Sequence, residues 1–186
     1  MRHAETSYNL MGRMLGQTDI PLCEIGLNNV RNIAPKMGDI DIGLIYSSSY
    51  IRAIQTANII SSVTRADVRK RETLKERHLG ILDGKVKDSA CWHDLIKRLD
   101  ERDFFPEKGE SVDSCLERFS EEMKNIVNSG EENVLVISHG GIISLYMQYI
   151  MKVNKNLVFL DNCAFHILEN DMNGNLHVIK LNVSLI

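Results

Sequence analysis

The sequence has little of several features that mark specialised classes of protein. It contains four cysteines and no C-x-x-C pair, which argues against a zinc or dithiol redox motif and favours reduced thiols. Purely apolar runs are short: Val134–Ile137 has four residues, far fewer than a helix needs to span a bilayer. The first residues are polar and charged, so no secretory signal is visible. We therefore expect a cytoplasmic protein with no membrane partner.

Neither sign of charge dominates the chain. Its 22 basic and 25 acidic residues leave a net charge of -3, which gives no reason to expect nucleic acid as a partner. A phosphate site would therefore need a local concentration of Arg and His, which suits a small anionic substrate better than a long polyanion. No repeat or Pro/Gly-rich linker divides the 186 residues, so we expect one domain, 1–186. The oligomeric state is not readable from the sequence.

Hydrophobic periodicity predicts alternating helices and strands. Two apolar stripes with helical spacing run from Leu27 to Met37 and from Val112 to Val127, and further helices are predicted at 50–62, at 88–101 and from Gly141 to about Met151. Short strands are predicted at 41–46, 68–71 and 133–137, the last buried on both faces, and a hairpin at 163–168 and 177–182. The segment 74–84 reads as irregular. This alternation predicts a three-layer α/β/α fold with a mostly parallel central sheet.

Polar residues that can bind or attack a phosphate group follow two predicted strands and the position where a third strand should end. They are Arg2-His3, the segment 47–52 with Arg52, and Ser138-His139. Because ligands of parallel sheets bind beyond the carboxyl ends of the strands, we expect these groups to share one cleft. Alone, each has a plainer interpretation: a solvated terminal pair, a surface Arg whose stem packs on a helix, and a hydrogen-bonded core histidine. Glu76 is either a general acid or a partner of Arg77.

The joint pattern resembles the histidine phosphatase superfamily, also called the phosphoglycerate mutase-like family. Residues 2–9 resemble its R-H-G-x-T-x-x-N signature, residues 16–26 its G-x-x-D-x-P-L-x-E-x-G stretch, and residues 47–57 its S-S-P-x-x-R-A-x-Q-T-A motif. Further matches are Glu76 with Gly80 and Gly84, then 109–111, and finally 138–141. The matches lie in the family's order over nearly the whole chain.

The resemblance implies a role for each matched residue. His3 would be the nucleophile that becomes a phosphohistidine, and Arg2, Arg52 and His139 would bind the phosphoryl oxygens. Asn9, Thr18 and Gly140 would add phosphate contacts, and Glu76 would act as general acid and then as general base. No metal and no cofactor is implied, because the cations would stabilise the transition-state charge instead. The predicted function is a metal-independent phosphomonoesterase acting on a small phosphorylated metabolite.

Two alternatives remain open. Residues 76–87 are similar to a stretch of phosphoglycerate mutases, but only residues 85–108 separate it from Gly109, where mutases carry a longer insertion. We therefore favour a hydrolase over a mutase. Residues 85–108 are predicted to form a small helical cap over the site. Its polar and aromatic side chains either contact the substrate or form a solvated charged surface; they are Trp92, His93, Lys97, Arg98 and Arg102. The other alternative is a non-catalytic protein that binds a phosphate ligand.

The start of the sequence departs from the family. Ala4 replaces the usual Gly after the nucleophile and removes freedom at a tight turn. The first central strand, which ends at the Arg-His pair in the family, is reduced here to Met1. Losing a central strand exposes strand edges and core surface. We expect either that residues upstream of Met1 complete the strand, or that the C-terminal segment 176–186 or a partner chain takes its place.

Overall fold

The sheet that carries the site has three parallel strands. A computed structural model of the chain describes residues 1–86, 98–99, 101–171 and 173–186. A one-turn helix α1 (Ser7–Leu10), capped by Thr6, and helix α2 (Glu24–Gly38) precede the central strand β1 (Leu44–Ser48). Strand β2 (Asp67–Arg71) follows helix α3 (Ile51–Thr64), and β2 lies on one side of β1. Strand β3 (Val134–Ile137) lies on the other side.

The central strand begins later than its sequence predicts. Strand pairing starts with Leu44 opposite Asp67 and Val134, and it continues to Ser48 opposite Arg71. Residues 41–43 instead form a turn in which Ile42 donates to Ile40 and Gly43 donates to Asn133. The strand therefore lies later in the sequence than the predicted 41–46. It ends in Ser47 and Ser48, which are polar but are buried within the ladder.

Helices cover both faces of this sheet and give the predicted three-layer fold. Helices α2 and α3 bury Val30, Ile33 and Ile60 against Ile45 of β1. Helix α4 (Val112–Val127) and helix α5 (Gly140–Tyr149) pack on the opposite face, where Leu44 and Tyr46 point. Successive β1 side chains thus enter different core layers, as the pleat requires. The two apolar helical stripes predicted from the sequence are confirmed as the buried faces of α2 and α4.

A separate hairpin ends the chain. Strand β4 (Phe165–Asn170) and strand β5 (Leu176–Val183) pair antiparallel around Gly174, whose φ of 83° suits a glycine in a tight turn. The hairpin was predicted, with boundaries that differ by two residues or fewer. Short 3₁₀ turns at Glu72–Leu74, Gly80–Leu82 and Lys155–Leu157 complete the irregular connections. Most of the predicted helix at 88–101, with Trp92, His93 and Lys97 of the cap, lies outside the described residues.

Met1 to His3 form a short remnant of a strand between β3 and β4. Arg2 bridges Ser138 in parallel, Ser138 N–H donates to the Met1 carbonyl at 2.9 Å, and His3 N–H donates to the Ser138 carbonyl at 3.1 Å. On the other side Arg2 N–H donates to the Ala164 carbonyl at 3.0 Å. Beyond Met1, in the described residues, no strand joins the three-stranded sheet to the hairpin. The prediction that the first central strand is largely missing agrees with this arrangement.

The gap is not filled by the C-terminal segment. Strand β5 pairs with β4, and in this structure the sheets β2-β1-β3 and β4-β5 are separate, so the expectation that 176–186 replaces the lost strand is wrong. The prediction that β3 is buried on both faces is wrong as well: Leu135 and Ile137 are buried, but Val134 and Val136 are only half-buried. Their exposure follows from the gap, because both border it.

The buried Met1 amine predicts that stability depends on pH. Its N–H donates to the Val136 carbonyl at 2.8 Å, and burial lowers its pKa from 8.0 to about 5. Between these values the unfolded chain holds a proton that the folded chain lacks, so the free energy of unfolding falls as the pH drops. We expect this amine to contribute about 1.5 kcal/mol to the loss between pH 8 and pH 6.5, measured by urea denaturation of the chain that starts with Met1. The buried His3, His139 and His166, whose pKa values are also lowered, contribute to the loss in the same range, so an Nα-acetylated preparation serves as the control. It should lose about 1.5 kcal/mol less, and equal losses in both would contradict the assignment.

Candidate active site

The three predicted polar segments meet at the carboxyl ends of the parallel strands. The remnant strand ends in Arg2-His3, β1 leads through Ser48 to Arg52 in the first turn of α3, and β3 leads through Ser138 to His139. The His3 and His139 rings lie 5.2 Å apart between centroids, at 60° to each other. The predicted convergence of these segments is therefore present, but of these side chains only Arg2 and His3 line the cavity beside them, whereas Arg52 and His139 are buried and do not line it.

His3 is held with one ring nitrogen free of a proton. Its side chain is buried, and Nδ1 lies 2.6 Å from the carbonyl oxygen of Ala4. Because that oxygen can only accept, Nδ1 carries the ring proton and Nε2 keeps its lone pair. Burial, followed by the charges of Arg52 and Arg2, lowers the pKa of His3 well below 6.5. The imidazole is therefore neutral at pH 7, the state that a nucleophile requires.

Ala4 fits the turn that follows His3 without backbone strain. It is not among the non-glycine residues with positive φ, its methyl group is fully buried in the core, and its N–H donates to Thr56 Oγ1 at 3.1 Å. The freedom that Ala4 removes is therefore not needed here, because the backbone at this position does not require glycine.

Arg52 and His139 form a fully buried pair behind His3. Arg52 Nε donates to His139 Nδ1 at 3.2 Å, so His139 carries its proton on Nε2, which lies 2.8 Å from Ser48 Oγ. The other guanidinium nitrogens of Arg52 donate to the carbonyls of Gly16 and Thr18, each at 2.8 Å. Burial, then the charge of Arg52, lowers the pKa of His139 well below 6.5. The second imidazole is therefore neutral too.

Positive charge at this site is not balanced by an ion pair. Arg52 is fully buried, and none of the described Asp or Glu residues forms a salt bridge with it or with Arg2. Arg2 donates from one terminal nitrogen to the Leu160 carbonyl at 2.8 Å, but its Nε is buried without a hydrogen-bond partner. A buried donor without a partner and a buried cation without a carboxylate are both costly. They indicate a position made for an anion.

Glu76 occupies the amino end of helix α5. Its carboxylate accepts N–H groups of Gly141 at 2.9 Å, Ile142 at 2.8 Å and Arg77 at 2.9 Å, so the negative charge meets the positive end of the helix dipole. A Cβ at Gly141 would lie 2.8 Å from Glu76 Oε1, which explains why this position needs a glycine. The amides of Gly141 and Ile142 are thus already bonded to a carboxylate and are not available to a phosphoryl group.

Asn9, Thr18 and Gly140 lie at different distances from the cleft. Asn9 lines it, and its Oδ1 accepts from Thr6 in a capping box, so its amide N–H₂ is the end available to a ligand. Gly140 also lines it, next to Arg2 Nε. Thr18 does not line it; its hydroxyl donates to Asp83 at 2.9 Å and its carbonyl accepts from Arg52. Thr18 is placed to hold Arg52.

The site opens into a cavity of about 370 Å³. Arg2, His3, Asn9 and Glu76 are among the residues that line it, and so are six apolar residues: Met14, Leu15, Leu79, Leu99, Val158 and Phe159. Arg98 and Arg102, two of the proposed cap contacts, are exposed and paired with Glu101 and Asp113. This volume suits a small organic ligand.

Two supporting residues were not found from the sequence. Arg118, on α4, donates to the carbonyls of Thr73 and Lys75 at 2.8 Å and of Glu76 at 3.2 Å, and it pairs with Glu110 at 2.8 Å. Burial opposes the charge of Glu110, yet the hydrogen bonds and charge of Arg118 lower its pKa overall. No motif signals such a role, because the contact depends on how α4 packs.

Asn162 is the second such residue. Its Nδ2 donates to the His3 carbonyl at 2.9 Å and lies 3.5 Å from Asn9 Oδ1. It thereby ties the loop before β4 to the backbone of the imidazole. No motif signals this role, because Asn162 and His3 are 159 positions apart in the sequence.

Two absences among the described residues concern metal ions and membranes. In that part of the chain no group of three or more His, Cys, Asp and Glu side chains is placed to hold a metal ion. Among the helices that the structure describes, none is long and apolar enough to cross a membrane.

Comparison with known proteins identifies relatives along nearly the whole chain. The model of the histidine phosphatase superfamily (branch 1) matches residues 1–183. Phosphoglycerate mutase-like protein 4 of Arabidopsis thaliana is 31% identical over 157 residues, which cover 78% of this chain and 67% of that protein. The metal-independent phosphoserine phosphatase of the same plant is 30% identical, over 80% of this chain and 66% of that protein. The chain thus spans about two thirds of the length of these relatives.

Solved structures agree with the sequence matches. A mycobacterial glucosyl-3-phosphoglycerate phosphatase, in complex with VO3, superimposes with a TM-score of 0.87 at 28% identity, covering 98% of this chain and 96% of the other. Bacillus stearothermophilus YhfR superimposes with a TM-score of 0.84 at 26% identity, covering 98% and 95%. The three-layer architecture is therefore that of these proteins.

The stability of the folded chain should depend on Arg118, which holds the backbone around Glu76. We expect Arg118→Ala to lower the free energy of unfolding by about 3–5 kcal/mol, because it leaves Glu110 without its partner and three backbone carbonyls without their donor. Arg98→Ala is the matched control: its ion pair with Glu101 is exposed, so the loss should stay within about 0.5 kcal/mol. Chemical denaturation measures both, and similar losses would show that Arg118 has no special structural role.

Proposed function

Since the chain belongs to the histidine phosphatase superfamily, we propose that it is a metal-independent phosphomonoesterase that hydrolyses a small phosphate ester through a phosphohistidine at His3. The observation that carries this proposal is the positive charge of Arg2 and Arg52, which no direct ion pair neutralises, beside a neutral imidazole. A phosphoryl group supplies the missing anion, and Arg2 Nε supplies a donor without a partner. Relatives that are named as phosphatases support the hydrolase assignment.

In the first step His3 Nε2 attacks phosphorus and the bond from phosphorus to the ester oxygen breaks. Glu76, which lines the same cavity, gives its proton to the leaving oxygen, so that an alcohol departs. Arg2, which lines the cavity, binds the equatorial oxygens, and Arg52 stabilises their negative charge without direct contact, since its guanidinium already donates to Gly16 and Thr18. The Nε2–H of His139 lies against Ser48 Oγ and would bind a phosphoryl oxygen only in exchange for that bond. Asn9 and Gly140 complete the contacts with the phosphoryl group.

In the second step water attacks the phosphohistidine. The Glu76 carboxylate takes one proton from this water, the bond between phosphorus and His3 Nε2 breaks, and inorganic phosphate leaves. His3 returns to the neutral form that the Ala4 hydrogen bond favours. Glu76 is protonated again and is ready for the next ester, so no metal ion or redox partner enters the cycle.

A phosphoglycerate mutase is the second candidate. The name of one plant relative and the similarity of residues 76–87 to mutases favour it, whereas the short segment 85–108 favours the phosphatase. The two are separated by mixing the protein with 3-phosphoglycerate and a trace of bisphosphoglycerate. Formation of 2-phosphoglycerate faster than release of phosphate would identify a mutase.

Removing the proposed nucleophile should abolish turnover. We expect His3→Ala to lower kcat for p-nitrophenyl phosphate by at least about 10³-fold and to eliminate acid-labile labelling of the protein by a ³²P-phosphate ester. His177→Ala is the matched control, because His177 is exposed and pairs with Asp171 in the hairpin. Labelling that persists in His3→Ala would exclude His3. An unaltered protein that binds vanadate without turning over a panel of esters would favour a non-catalytic binding protein.

Replacing the proposed acid should affect poor leaving groups most. We expect Glu76→Gln to lower kcat about 10²- to 10⁴-fold for an alkyl phosphate, and less for p-nitrophenyl phosphate, whose phenolate leaves without a proton. Glu72→Gln is the control, because Glu72 is exposed and paired with Lys75. Equal losses with both substrates would show that Glu76 does not protonate the leaving group.

A further inference from the structure

The cavity of the candidate active site is bordered by apolar side chains from several regions of the chain. Met14, Leu79 and Leu99 pack together into a small cluster of buried side chains that is distinct from the two core layers, and all three line the cavity. Val158 and Phe159, in the loop before β4, line it as well. The groups that could bind a phosphoryl group therefore share their cavity with an apolar surface.

The loop before β4 exposes an aromatic ring at this cavity. Residues 157–160 are Leu-Val-Phe-Leu, and their burial alternates: Val158 and Leu160 are buried, whereas Leu157 is 57% exposed and Phe159 is 65% exposed. Of the two exposed side chains, Phe159 lines the cavity and Leu157 does not. A ligand that covers an exposed ring removes apolar area from water, which is favourable. Phe159 is therefore suited to contact a ligand.

Two polar side chains that line the same cavity already donate to the backbone. Arg77 donates from all three of its guanidinium nitrogens to backbone carbonyls, and Ser144 donates to the Val158 carbonyl at 3.0 Å. An alcohol with further hydroxyl or charged groups would lose hydrogen bonds with water on entering, and it would find these donors engaged. An apolar alcohol loses no such bonds.

We propose that this part of the cavity is a subsite for an apolar alcohol, so that the preferred ester is a phosphate monoester of an alkyl or aryl alcohol. The subsite rests on the proposed function for the position of the phosphoryl group, which lies beside Arg2 and His3. From there the alcohol extends along Met14 and Leu79 and is covered by Phe159, all of which line the same cavity.

The volume of the cavity limits the size of this alcohol. A water molecule takes about 30 Å³ in the liquid, and a heavy atom of a ligand needs a similar space. The cavity of about 370 Å³ therefore holds roughly twelve heavy atoms. A phosphate group uses five of them, which leaves space for about seven carbons.

A second negative charge on the alcohol is the main alternative, because Arg13 and Lys155 also line the cavity. One terminal nitrogen of Arg13 already donates to the Gly84 carbonyl at 2.8 Å. Lys155 is exposed, so water and salt screen its charge. The apolar surface is the more specific feature, and the test includes esters that carry a carboxylate.

The test measures kcat/KM for n-alkyl phosphates from methyl to octyl. From ethyl onward the leaving alcohols have nearly equal acidity, so differences within the series report contact between the alkyl chain and the cavity. We expect kcat/KM to rise about two- to fourfold with each added methylene up to about seven carbons and then to level off. 3-Phosphoglycerate and O-phosphoserine should react no faster than ethyl phosphate.

A variant of the exposed ring locates the effect. We expect Phe159→Ala to lower kcat/KM for hexyl phosphate about tenfold, mainly by raising KM, and to flatten the dependence on chain length. Leu157→Ala is the matched control, because Leu157 is exposed in the same loop but does not line the cavity. It should leave the whole series unchanged, and equal effects of the two variants would overturn the assignment of Phe159 to the subsite.

Binding of n-alkyl phosphonates separates this subsite from the proposed function, because their carbon–phosphorus bond is not hydrolysed. Their dissociation constants, measured by calorimetry, should fall along the same series. Turnover of esters with no dependence on chain length would overturn the subsite and leave the proposed function standing. Phosphonate binding that tightens with chain length, in a protein that turns over no ester, supports the subsite and removes the proposed function. A higher kcat/KM for 3-phosphoglycerate than for hexyl phosphate would overturn the subsite in favour of a second anion.

Discussion

Two guanidinium groups, Arg2 and Arg52, hold positive charge at the junction of three strand ends, and the arrangement around them follows from that charge. Arg52 is buried and donates to two carbonyls and to His139, which therefore stays neutral. The same charges, after burial itself, keep His3 unprotonated. Burial, followed by these charges, thus keeps both imidazoles neutral, and the two cations leave room for one anion.

Glu76 balances this charge without forming an ion pair. Its carboxylate is held by three backbone N–H groups and favours the protonated form of both Arg2 and Arg52 from a distance. A direct salt bridge would occupy the guanidinium groups, whereas a helix terminus stabilises the carboxylate and keeps it separate. Arg118 holds the backbone of the same residue from the other side. The acid and the cations are therefore positioned by different elements of the fold.

The sequence predicts those features of the fold and of the site that follow from the local pattern of residues. The stripes of α2 and α4, the hairpin and the meeting of Arg2-His3, Arg52 and His139 all follow from periodicity or from the rule for strand ends. It does not predict that Glu76 takes the amides of Gly141 and Ile142, nor that Arg118 supports Glu76, because both depend on contacts between residues more than forty positions apart. The shift of β1 to Leu44–Ser48 likewise depends on its neighbours, since pairing with β2 and β3 outweighs the polarity of the serines.

The position of the first residue has a practical consequence for handling this protein. An affinity tag or a cloning remnant in front of Met1 would enter the interior of the sandwich, only two residues from the reactive imidazole. Apolar and charged leader residues would then affect the stability of the chain differently, because a charge is costly next to the core. The other terminus is free of this problem, since the Ile186 side chain is exposed. Purification handles belong there.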